Sequence, residues 1–158
     1  MSCDKFKLEN AVENYGDSLL RLAFTYTKSV EDAKDLVQDA FLKYITHSPK
    51  FESSEHEKAW LMRVTVNMCK NHLTSYYRKS YAELDESISI SDSYSSGLLE
   101  AVRSLPEKYR AVIHLYYYEG YSQKEIGKIL RISESGVATR LQRGRNLLRA
   151  RLGDDFFE

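Results

Sequence analysis

Residues 121–144, YSQKEIGKILRISESGVATRLQRG, read as two short helices joined by a tight turn. Ser122 is a predicted N-cap with Glu125 at the reciprocal capping-box position, and Ile126, Ile129 and Leu130 then recur at the spacing of one buried helical face. Ser133 supplies a second N-cap. After it, Val137, Leu141 and Leu148 share one face, while Ser135, Thr139, Arg140 and Arg143 point elsewhere. The arrangement is a helix-turn-helix whose second helix offers an outward face suited to a nucleic-acid groove. From Arg131 to Arg151 six arginines stand against one acid, Glu134, a local charge of +5 inside a chain of zero net charge. That local excess points to phosphate contact. Arginine without lysine over the second helix suits bidentate contact with phosphate and guanine. The competing reading is an amphipathic pair whose arginines only keep one face hydrated. Two positions carry tension: Gly127 costs helix stability but permits close helix approach, and Arg131 stands in the turn where a positive φ would favour glycine.

The chain has 158 residues, enough for one ordinary domain or two small ones, and its charge distribution favours two. Residues 1–78 carry eleven basic and eleven acidic side chains, residues 79–97 one and four, and residues 98–158 eleven and eight. The middle stretch, with YAELDESISISDSYSSG, is acidic, serine-rich and without a sustained helical period, which predicts a flexible linker. A strand at Ile88 and Ile90 would lack a partner. Alternating strand-like runs are nearly absent elsewhere, so the expected fold is all-α. Cys3 and Cys69 are too few and too far apart for a disulfide framework or a zinc site. The N-terminal MSCDKFKLEN lacks a signal pattern and no apolar run approaches the roughly 20 residues of a membrane span, which together predict an intracellular, cytoplasmic protein.

In the first module, Leu8, Val12, Tyr15, Leu19, Leu22 and Tyr26 predict an amphipathic helix over residues 8–28, with Gly16 as the place of a bend. Ser29 with Asp32 starts a second helix, in which Val37, Ala40, Phe41 and Tyr44 are candidates for burial and Asp35, Gln38, Asp39 and Lys43 for exposure. By themselves those four polar residues read as an ordinary solvated face. The loop 46–57 leads into a long third helix whose start is marked by Ser54 and Glu57. Leu61, Thr65, Met68 and His72 line one of its faces, and Trp60, Arg63, Asn67, Lys70 and Asn71 another. Between Lys58 and Lys79 five basic residues meet no Asp or Glu, with Tyr76 and Tyr77 interleaved, a pattern suited to phosphates, base edges and unstacked bases. Trp60 fits either a core anchor or a stacking platform.

DLVQDAF at 35–41, AWLMRVTVNMCKNHL at 59–73 and the stretch from Leu105 to Leu152, in this order and spacing, resemble a bacterial sigma factor of the extracytoplasmic-function group. The resemblance covers most of the chain. It implies sigma domain two, a three- to four-helix bundle, at 1–78, a linker at 79–97 where larger sigma factors carry a further domain, and sigma domain four at 98–158. It also implies that Asp35, Gln38, Asp39 and Lys43 dock on the clamp helices of the largest subunit of core RNA polymerase. Lys58, Trp60, Arg63, Asn67, Lys70 and Asn71 would then bind the minus-ten strand of promoter DNA. Ser133, Ser135, Thr139, Arg140 and Arg143 would read the minus-thirty-five element, with the neighbouring helices on the polymerase flap. DNA opening would trap single strands, with no cofactor, metal or nucleotide hydrolysis. The chain would be a monomer when free of polymerase, and an anti-sigma factor, often found in the family, would hold it at the membrane. The sequence departs from the usual pattern at Ala138, Gly127 and Gly144.

The helix-turn-helix alone also fits a transcriptional regulator that never engages polymerase, although such proteins usually need a self-complementary dimer surface. An interaction module that binds polymerase or an anti-sigma factor but not DNA fits the first module. A nucleic-acid enzyme fits poorly, since His47, His56, His72 and His114 and the carboxylates form no HExxH, Cys/His set, phosphate loop or nucleophile elbow. Tyr116, Tyr117 and Tyr118 read as packing residues, and 154–158 as a frayed end.

Overall fold

The computed structural model describes residues 2–27, 29–47, 50–79 and 97–152. The linker and the C-terminal tail expected from the sequence therefore lie outside the described residues, apart from the helix ends at Lys79 and Gly97. Seven α-helices follow one another with no strand among the described residues: α1 (Ser2–Tyr26), α2 (Val30–His47), α3 (Ser54–Lys79), α4 (Gly97–Arg103), α5 (Glu107–Ile113), α6 (Gln123–Leu130) and α7 (Glu134–Leu152). The chain divides into two compact units, residues 1–86 and 87–158.

In the first unit α1, α2 and α3 each pack on the other two. Leu19, Leu22 and Ala23 of α1, Ala33, Ala40 and Phe41 of α2, and Leu61, Met62 and Val66 of α3 are buried in the core. Two corrections apply to the expected faces. Val12 is 45% exposed and Ala11 is buried in its place, because the inward stripe of α1 runs through Ala11, Tyr15, Ser18 and Leu22 at three- and four-residue steps. On α3 the row Leu61, Thr65, Cys69 and Leu73 is buried at a strict four-residue step, with Met68 and His72 displaced to its half-exposed flank. Thr65 is tolerated there because its hydroxyl donates to the Leu61 carbonyl at 2.8 Å.

Helix starts follow side-chain caps. Ser29 Oγ accepts from the Asp32 amide at 3.3 Å, as the sequence led us to expect for α2. For α3 the cap is Ser53, one residue before the expected Ser54: its Oγ accepts from the His56 amide at 3.1 Å. His56 Nδ1 in turn accepts from the Glu52 amide at 3.3 Å, which leaves Glu57 for another partner. The expected loop 46–57 is accordingly shorter, since Thr46 and His47 end α2 and residues 54–57 begin α3.

The second unit is built on α7, which packs against α4, α5 and α6 through Val137, Leu141, Gly144 and Leu148. A β-carbon at Gly144 would lie 3.1 Å from Ile113 Cγ1, so glycine sets how closely α5 and α7 approach. Ser122 and Glu125 form the capping box of α6, with both hydrogen bonds present at 3.1 and 3.0 Å. Gly127 sits at the close approach predicted for it: a β-carbon there would come within 2.8 Å of the Ile132 carbonyl oxygen. Arg131 ends α6 at φ 59° and ψ 46°, the left-handed conformation its place in the turn suggested. A non-glycine residue pays roughly 1 to 2 kcal/mol for that backbone, partly offset by glycine's larger unfolded-state entropy. Arg131→Gly is therefore expected to stabilise this unit by about 0.5 to 1 kcal/mol, read from slower amide exchange in α6 and α7.

Between α5 and α6 the chain makes a wider π-helical turn, His114–Tyr118, followed by Gly120 at φ 75°. The wider turn rotates the residues after it out of α-helical register. Tyr117 and Tyr118, inside this turn, are 52% and 64% exposed, a correction to their expected packing role. Beneath the turn the nearly buried His114 and Glu119 side chains approach to 3.6 Å.

Candidate nucleic-acid interface

The N-terminal half of α7 is held by short polar links. Ser133 Oγ accepts from the Gly136 amide at 3.0 Å and lies 3.2 Å from Ser135 Oγ. Thr139 donates its hydroxyl to the Ser135 carbonyl at 3.0 Å, which fixes its rotamer and leaves its methyl group and oxygen lone pairs for an incoming base edge. These three hydroxyl residues and Arg143 are exposed, and Arg140 is half-buried. All five predicted readers line a cleft of about 350 Å³. Lys108 and Tyr109 of α5 line the same cleft, and they lie too far from α7 in the chain to be found by its periodicity.

The arginine cluster divides by task. Arg140 and Arg143 flank the cleft, and Arg131 sits in the left-handed turn. Arg145 leaves the groove face: its guanidinium carbon lies 5.8 and 5.6 Å from the ring centres of Tyr116 and Tyr117, a double cation–π contact. Arg149 and Arg151 occupy the last turn of α7, where cations complement the helix dipole. The net excess seen in sequence thus overstates the charge available at the cleft.

In the first unit, Asn67 and Asn71 of α3 are exposed and Lys58, Trp60, Arg63 and Lys70 are half-buried. Trp60 is neither a core anchor nor a free platform. Its ring centre lies 6.2 Å from that of Tyr44 and 5.8 Å from that of Phe51, both edge-on, within an aromatic cluster at the start of α3. His56 packs edge-on against Phe51 at 5.3 Å, and Lys7 Nζ lies 5.4 and 5.6 Å from the Tyr44 and Phe51 ring centres. The cluster ties α1, α2 and the loop residue Phe51 to the first turn of α3. A lone Phe in a polar loop gave no periodic signal by which to find it.

Tyr44 anchors this cluster by donating to Glu57 Oε2 at 2.7 Å. Burial, and then the hydrogen bond to the Glu57 carboxylate, raise the Tyr44 phenol well above its ordinary value of 10.0. A raised tyrosine favours the protonated folded state, so its stabilising contribution is present below pH 10.0 and lost as pH climbs beyond it. Tyr44→Phe is expected to destabilise the first unit by about 2 kcal/mol, since a bond to a charged acceptor is lost. Trp60, the single tryptophan, reports the shift in a urea titration.

On α2, Asp35, Gln38, Asp39 and Lys43 are all exposed, while Val37, Ala40, Phe41 and Tyr44 are buried as predicted. Leu42 lies seven residues from Asp35, four from Gln38 and three from Asp39, on the same side of the helix, and is 52% exposed.

The fold is that of a helical protein of two units, one of them carrying a helix-turn-helix. Comparison with known families places Sigma-70 region 2 at residues 11–79 and Sigma-70 region 4 at residues 96–148. The ECF RNA polymerase sigma factor SigW of Bacillus subtilis strain 168 is 29% identical over 171 residues, covering 96% of this chain and 91% of that protein. RNA polymerase sigma factor SigZ of the same strain is 32% identical over 126 residues, covering 73% of this chain and 69% of that protein. Among solved structures, the sigma factor RpoE in complex with the anti-sigma factor NepR from Bartonella quintana shares the fold at a TM-score of 0.80 and 24% identity, covering 94% of this chain and 98% of that one. The chain belongs to the sigma-70 family of RNA polymerase sigma factors, in its extracytoplasmic-function group. That membership makes it a transcription initiation factor rather than a helix-turn-helix regulator acting without polymerase.

Proposed function

We propose that this sigma factor divides promoter recognition between α3 and α7 while α2 grips core RNA polymerase. In this reading residues 1–78 act as sigma domain two, 79–97 as a linker and 98–158 as sigma domain four. Asp35, Gln38, Asp39 and Lys43, with the exposed Leu42, dock on the clamp helices of the largest subunit. Lys58, Arg63, Asn67, Lys70 and Asn71 follow the non-template strand at the minus-ten element, with Trp60 and its aromatic neighbours beside the loop that receives an extruded base. Extrusion costs a few kcal/mol, which a cationic helix and aromatic contacts supply without nucleotide hydrolysis or a cofactor.

Ser135, Thr139, Arg140 and Arg143 meet base edges and phosphates of the minus-thirty-five major groove, and Ser133 fixes the start of the helix that carries them. The observation that carries this reading is the convergence of all five predicted α7 readers on one cleft. The chain works in the cytoplasm, as a monomer until it meets polymerase, with an anti-sigma factor as a further partner, as the RpoE–NepR complex suggests. No helix among the described residues is long and apolar enough to cross a membrane. In vitro transcription of a randomised promoter library by core polymerase, with and without this chain, tests the proposal. Two separated sequence motifs should emerge only when the chain is present; transcripts without a shared upstream motif would refute it.

A further inference from the structure

The lining of the α7 cleft includes a cation from α5 that no motif assigned. Lys108, in the first turn of α5, lines the same cleft as Ser135, Thr139, Arg140 and Arg143. Its side chain is exposed, yet its Nζ stays 5.2 Å from the centre of the Tyr109 ring. Tyr109 is itself only 8% exposed and packs where a β-carbon at Gly144 would meet its Cβ at 3.5 Å. The ammonium thus lies close to a ring that is itself packed in the core.

The chemistry selects its partner. A lysine ammonium is a compact point charge without the planar fork that reads guanine, so it suits a phosphate oxygen rather than a base edge. When a helix occupies the major groove, the sugar-phosphate backbones rise beside it, and a cation offset sideways from that helix faces backbone. We propose that Lys108 is a phosphate anchor: it contacts a backbone phosphate beside the minus-thirty-five element while α7 lies in the groove, fixing the insertion without choosing the sequence. This rests on α7 being the groove reader. The contact comes from a helix outside the helix-turn-helix pair, so it sets the tilt of α7 as well as adding affinity.

The test uses the full chain and a duplex whose sequence the wild-type chain has selected from a random pool. Binding is followed by fluorescence anisotropy from about 50 to about 300 mM salt, the range over which counterion release is read. Lys108→Gln is expected to weaken binding about fivefold near physiological salt and to lower the slope of log affinity against log salt by about 0.9, with the preferred sequence unchanged. Lys108→Arg should restore the slope, which separates a lost phosphate contact from a disturbed fold. An unchanged slope in Lys108→Gln would overturn the proposal, and so would a changed preference at one base pair, because Lys108 would then be reading sequence. A wild-type chain that selects no sequence at all is a different result: it would remove the groove reading of α7 itself, and this inference with it.

Discussion

Replacing Arg140 and Arg143 together by alanine is expected to reduce promoter-specific transcription at least about 30-fold while leaving affinity for core polymerase within about twofold. Each well-made bidentate contact to a base pair is worth roughly 1 to 3 kcal/mol of discrimination, and two such losses multiply in the binding constant. The side chains line the cleft at the exposed side of α7, whereas the packing of the unit runs through Val137, Leu141, Gly144 and Leu148 on the other side. Folding should therefore survive. The signature is a changed sequence preference at the minus-thirty-five element in a selection experiment, unlike the uniform weakening expected from a phosphate contact. A double variant with unchanged promoter output would show that these arginines only hydrate the helix.

Reversing charge at Asp35 and Asp39, as Asp35→Lys with Asp39→Lys, is expected to weaken binding to core polymerase about 100-fold or more. Asp35 and Asp39 are exposed one helical turn apart on α2, beside the exposed Leu42. Like charges brought together at an interface cost several kcal/mol, so reversal reports a charge-complementary partner far more strongly than truncation does. Both residues are exposed, and the inward face of α2 is carried by Ala33, Val37, Ala40 and Phe41, so the unit should keep its stability. Affinity measured by surface capture of core polymerase decides it. Unchanged affinity would return these residues to an ordinary solvated face.

The helices and most of their capped starts were legible because local chemistry decides them, the α3 cap falling one residue earlier, at Ser53, than expected. Ser122 with Glu125, Ser133, and Ser29 with Asp32 act over three or four residues, and the backbone bonds they predict are present. The left-handed Arg131 and the close approach at Gly127 were legible for the same reason, since a short turn between two capped helices leaves the chain few conformations. What escaped depends on register or on distant partners. The exposure of Tyr117 and Tyr118 follows from a π-helical turn that breaks the α period, and periodicity assumes an unbroken helix. On α3 the choice between Met68 and Cys69 turns on one residue of rotation, which the packing of α1 and α2 settles.

The same division holds at the candidate site. The α7 readers were found because they share one helix, while Lys108 lies 25 residues before Ser133 and joins them only through the packing of α5 on α7. Phe51 joins Tyr44 and Trp60 in the same way, through the folding of a loop onto two helices. Arg145 shows the converse. It counts toward the basic cluster in sequence but is engaged by tyrosine rings in the fold.

Site-specific photocrosslinking tests the division of labour between the two cationic helices most directly. A photoreactive residue at Asn67 in α3 or at Thr139 in α7, both exposed, is placed in the chain bound to core polymerase on a promoter from the library selection. Asn67 is expected to capture the non-template strand at the minus-ten element, and Thr139 the duplex at the minus-thirty-five element. Adducts from both positions at one element, or none from either in a polymerase complex that initiates transcription, would contradict the account.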